Sequence, residues 1–108
     1  MSVREERLAR NEAFFRELNE RLEAVTPDSA PELVLVCECA DDDCAKRLIL
    51  QPAEYEAIRE EETHFVVAPG HVDATIEDVV RRNERFEVVA KRGVAAEIAE
   101  ELDPRDAA

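Results

Sequence analysis

Glycine occurs only twice in this chain of 108 residues, at Gly70 and Gly93. That scarcity excludes a glycine-rich phosphate-binding loop. There is no run of about eighteen apolar residues, the length a membrane-spanning helix requires. The opening stretch, MSVREERLARNEAFF, mixes charges and lacks the basic-then-apolar order of a secretory leader. A cytoplasmic protein is therefore expected. No serine nucleophile motif and no free histidine–carboxylate constellation is present, so nothing outside the cysteine cluster described below reads as an active site. No internal repeat is visible. The length suits one modest core.

Basic charge is also short. The formal net charge is −13, and the excess acid is shared by both halves of the chain. Such a surface repels phosphate backbones and anionic lipid, so neither a nucleic acid nor a membrane is expected as partner. Arg81, Arg82, Arg85, Lys91 and Arg92 form the only basic run, read as a solvated face balancing nearby acids.

What is abundant is helical and strand patterning. Residues 1–26 read as an N-terminal amphipathic helix. Ser2 and Glu5 have capping-box spacing. Glu6–Arg10, Glu12–Arg16 and Glu17–Arg21 are acid-first pairs four apart. Leu8, Phe15 and Leu22 recur every seven residues, with Asn11, Leu18 and Val25 in the companion register and Phe14 beside them. Two outcomes fit this seam: a homodimer through the helix, or a helix lying on its own domain. TPDSAPE (26–32) ends it.

A small α+β domain is expected over 33–102. LVLVCEC (33–39) and KRLILQ (46–51) read as strands. A short helix with Pro52 at its first position follows, with Leu50 and Tyr55 at hydrophobic-staple spacing. HFVVA (64–68) reads as a third strand, and Pro69-Gly70 as a turn. Residues 73–92 fit either a helix then a strand, or a hairpin turning at Asn83-Glu84; the hairpin is preferred. VAAEIAEEL (94–102) is a last helix, and 103–108 a frayed tail. The fold class is α+β, with the N-terminal helix packed on a small, mainly antiparallel sheet and a zinc knuckle-like loop.

All three cysteines lie in VCECADDDCAKR, as Cys37, Cys39 and Cys44. Side chains two apart on a strand share a face, so Cys37 and Cys39 can grip one ion, and the loop returns Cys44. Zinc takes thiolate and imidazole in a tetrahedron, and a closed site needs a fourth ligand. His71, just after the Pro-Gly turn, is preferred over His64, which would project from the start of a strand. Asp41, Asp42 and Asp43 are expected to face solvent or to accept loop N–H groups. They lack the glycine and distal glutamate of a calcium loop. Competing readings keep the cysteines as small buried hydrophobes or as a redox pair with a resolving thiol, the latter opposed by the acidic neighbours.

CECADDDC, HFVVAPGH and RFEVVAKR together resemble a group of short uncharacterised actinobacterial proteins with CxC-x4-C followed by Val-Val-x-Pro-Gly-His. The resemblance implies a metal site at Cys37, Cys39, Cys44 and His71 and implies no activity. The sequence thus points to a zinc-stabilised, non-enzymatic interaction or regulatory module with a protein partner. The alternatives are a thiol-based metal or redox sensor, and a small zinc hydrolase using Glu38 as base if a coordination position stays open.

Overall fold

The computed structural model describes residues 3–41, 43–44 and 46–106. Helix α1 spans Val3–Val25, followed by strands β1 (Leu33–Val36) and β2 (Arg47–Leu50). Helix α2 (Pro52–Arg59) leads to β3 (His64–Val67), β4 (Glu77–Arg82) and β5 (Glu87–Lys91). Helix α3 (Gly93–Glu101) and a 3-10 turn at Pro104–Asp106 complete the order. The fold is α+β, with an N-terminal helix over two small antiparallel sheets, β1-β2 and β3-β5-β4. No described helix is long and apolar enough to cross a membrane.

The hairpin at 73–92 is present, with β4 pairing β5 from Glu77↔Lys91 to Arg82↔Glu87. Its turn is held by the Asn83 carboxamide, which accepts the N–H groups of Arg85 and Phe86. Helix α2 starts as its sequence implies. Pro52 occupies the first turn, where a missing N–H costs nothing, and the Glu54 carboxylate accepts the Gln51 N–H at 2.8 Å.

One apolar core joins the sheets. Leu33, Leu35, Leu48 and Leu50 from the first meet Phe65, Val66, Val88 and Val89 from the second, with Tyr55 and Ile58 of α2 between them. A smaller cluster of Ala9, Ile76, Ala95 and Ile98 lets α1 and α3 approach through small side chains.

Four expectations differ. First, the buried face of α1 is Ala9, Glu12, Ala13, Arg16 and Asn19, whereas Phe14, Leu18 and Val25 are exposed. Leu8 and Leu22 pack against the chain's own clusters. Of the helix pairs, Glu6–Arg10 and Glu17–Arg21 form, at 3.2 and 3.1 Å. Glu12 instead reaches Lys91, and Arg16 donates to the carbonyls of Glu62 and Ala99. Burial sets this pattern, because backbone groups away from water need partners. Ser2, the expected cap, lies outside the described residues.

Second, β1 ends at Val36, so Cys37–Cys39 lie beyond the strand. Third, Lys91 is not on a solvated basic face; it is buried between Glu12 and Glu77. Arg82, Arg85 and Arg92 do balance local acids, through Glu87, Glu54 and Asp78. Fourth, the expected tail from 103 is tied down as far as described. Asp103 is buried against Arg59, and Arg105 bridges Glu20, Glu23 and Glu56. Three acids around one guanidinium, itself stacked toward Tyr55, give the C-terminal segment its anchor on α1 and α2.

Candidate metal centre

The site forms where the two sheets meet. Past β1, the Cys37 N–H still donates to the Lys46 carbonyl, continuing the first ladder. One residue later the chain changes partner. The Glu38 N–H donates to the Val66 carbonyl, and the Val66 N–H donates to the Glu38 carboxylate. The Asn19 amide adds a second donor to that carboxylate at 2.7 Å. Burial pushes the Glu38 carboxyl up, opposed by these hydrogen bonds and by Arg16 and Arg59. Glu38 is therefore a fully buried joint between the sheets, and its carboxylate is committed to Asn19 and Val66.

Cys44 returns on a turn. Its N–H donates to the Asp41 carbonyl at 3.0 Å, and the Asp41 carboxylate accepts the Asp43 N–H at 2.9 Å. Asp41 and Asp43 thus serve the loop as expected and are exposed; Asp42 lies outside the described residues. On the other side, β3 runs into Pro69-Gly70. Gly70 has φ 83°, a left-handed conformation that side chains resist. Its N–H is held by the Glu87 carboxylate at 3.0 Å, and the His71 N–H closes the turn on the Ala68 carbonyl.

The four expected residues come together. His71 Nδ1 lies 3.7 Å from Cys37 Sγ and 3.6 Å from Cys44 Sγ. One ligand atom from each of Cys37, Cys39, Cys44 and His71 falls within 4.8 Å of all the others, a group that could hold a metal ion. Zinc with bonds of about 2.3 Å to sulfur and 2.0–2.1 Å to nitrogen has tetrahedral S···N edges of about 3.5 Å and S···S edges of about 3.8 Å. The observed S···N separations sit at those edges. The donor set of thiols and imidazole suits a borderline-soft cation, and Ala68 N–H donates to Cys37 Sγ at 3.1 Å, the kind of contact that steadies a thiolate.

The thiols are unequal. A hydrogen bond from Cys37 holds the Cys39 thiol down to about 5 despite burial, with His71 and Cys44 adding to the effect. The same contact, together with burial, pushes Cys37 up. Metal binding needs thiolates, and Cys39 is already poised as one. Cys37 and Cys39 are buried; Cys44 and His71 are half-buried. A groove of about 440 Å³ opens beside Cys39 and His71, with Asp41 and Asp73 on its walls. His64 is elsewhere: it opens β3 opposite Ala90, where desolvation lowers its pKa.

Sequence reasoning missed the supports. Asn19, the Ala68 N–H and Glu87 position the cluster without belonging to any metal motif. The one visible signal was Glu38, an acid in the middle of an apolar segment. No protein-family model matches the chain, and no curated protein or solved structure is significantly similar to it.

Proposed function

We infer that Cys37, Cys39, Cys44 and His71 hold one zinc ion, and that the protein is a zinc-stabilised, non-enzymatic interaction or regulatory module. The observation that carries this reading is convergence. Four ligand atoms from two distant segments meet within 4.8 Å, and His71 lies from Cys37 and Cys44 at separations that suit a zinc tetrahedron. Bound there, zinc would supply a cross-link between the cysteine segment and the β3–β4 connection. Four protein ligands complete the shell, which favours a structural role.

A second reading, a thiol-based metal or redox sensor, draws support from the half-buried Cys44 and from the groove at Cys39 and His71. The hydrolase reading finds no base at Glu38, whose carboxylate is engaged by Asn19 and Val66.

The test is metal analysis of purified protein with two histidine variants. About one zinc per chain is expected. His71→Ala should lose zinc to a competing chelator at least tenfold faster, by the cost of a lost ligand, and His64→Ala should behave as wild type. Folded, metal-free protein that refuses added zinc would reject the reading. Zinc that leaves under mild peroxide and returns on reduction would favour the sensor.

A further inference from the structure

Apolar side chains are left uncovered along one flank of α1 and the outer face of the β1-β2 sheet. Phe14 is 64% exposed, Leu18 36%, Val34 54% and Ile49 47%. They are continuous. Val34 and Ile49 are cross-strand partners on the same face. Leu18 shares a groove with Phe14, and it also lines a hollow of about 390 Å³ with Leu22, Val34, Val36 and Arg47. The Phe14 ring projects from the helix and meets Phe15 edge to face at 5.6 Å. One face therefore carries both an exposed aromatic projection and an apolar hollow large enough to receive one.

We propose that this face binds a second copy of the chain in a two-fold dimer, each Phe14 entering the hollow between Leu18 and Val34 of the other. A two-fold interface requires a self-complementary surface, and knob and hollow side by side supply it. The axis passes near Leu18, which borders both. Charge agrees. Glu17 flanks Phe14, and Arg47 flanks the hollow. Arg47 has no ion pair among the described residues, and Glu17 is held only by the exposed Arg21, a pairing of little worth. Insertion of Phe14 carries Glu17 to the Arg47 of the other chain.

Area is of the right order. The four exposed side chains leave roughly 350 Å² of apolar surface. That is most of the roughly 450 Å² of apolar area in a standard interface of about 800 Å² per partner. The surface differs from the heptad seam, since Leu8 and Leu22 are used within the chain. It does not depend on the metal.

The test is the mass of the full, as-purified chain by light scattering under a non-thiol reductant, which keeps disulfide-linked species out. At about 100 µM, a concentration suited to a micromolar interface, twice the 12.2 kDa chain mass is expected. Phe14→Glu should give the single-chain mass with unchanged circular dichroism and melting temperature. Glu17→Arg and Arg47→Glu should each weaken association about tenfold, and the double reversal should restore it. Four results would overturn the proposal: a wild-type monomer at every concentration, a dimer indifferent to Phe14→Glu, charge reversals without mutual rescue, or a monomer that uses Phe14 to hold a different protein. Zinc measured on the same samples separates these outcomes from a failure of the metal site.

Discussion

Glu12 is fully buried between groups of opposite demand. Its carboxylate is 2.6 Å from Lys91 Nζ, and the same ammonium is paired with the equally buried Glu77. Two carboxylates around one ammonium leave an excess negative charge in the core unless a proton is held. Burial, with Glu77 nearby and Lys91 opposing, pushes the Glu12 carboxyl up to about 9 from an ordinary 4.5. The folded protein thus takes up a proton that the unfolded chain lacks across that interval. The stability this contributes is fully present below about 4.5 and is lost as pH rises through about 9. Between those limits wild-type stability should fall relative to Glu12→Gln, by at most about 1.4 kcal/mol per pH unit. Urea titrations of both proteins at several pH values check this; parallel pH dependences would show that Glu12 is ionised. Spacing alone paired Glu12 with Arg16, because on an isolated helix those side chains are neighbours. Burial separated them, giving Glu12 an ammonium on β5 and Arg16 two backbone carbonyls.

Helix α1 shows the same inversion at the scale of an element. Its large apolar residues suggested the buried face, yet Glu12, Arg16 and Asn19 share that face with Ala9 and Ala13. The helix crosses places where backbone groups lack strand partners. The Asn19 carboxamide accepts the Val36 N–H and donates to the Val36 carbonyl, both at 2.8 Å, as a neighbouring strand would. That caps the outer edge of β1, an edge otherwise open to association. Arg16 and Lys91 both place their charges over the Phe65 ring, at 4.3 and 4.4 Å. Asn19→Ala should therefore cost about 2–4 kcal/mol, since it strands Val36 and part of Glu38 without partners. Leu18→Ala, at an exposed site, should cost under about 1 kcal/mol in the monomer. Denaturant midpoints of both variants in a Phe14→Glu background, at low protein concentration, would check the order. The reverse order would restore the seam as the buried face.

At the scale of the whole molecule, two sheets too small to stand alone share one core. They are joined by the Glu38–Val66 hydrogen bonds and by the contact of Ala68 with Cys37. The candidate metal site closes the same seam, with three ligands from the segment between β1 and β2 and one from beyond β3. Metal removal should then loosen the seam first. A chelator should lower the melting temperature by about 10 °C or more, with amide exchange rising at residues 37–41 and 68–72 before the α1–α3 contact. An unchanged melting temperature after verified metal removal would break the link between site and stability. The sequence by itself determined the α+β class, the cysteine spacing that groups three thiols, and the Pro-Gly turn that presents His71. These depend on local periodicity, short loops and turn chemistry, which a few adjacent residues specify. Tertiary structure decided which face of α1 is buried, where Lys91 and Glu38 lie, and how the tail from Asp103 is anchored. Those outcomes turn on unpaired backbone groups and charges far apart in the chain, and their demand for partners appears only once the sheets have closed on each other.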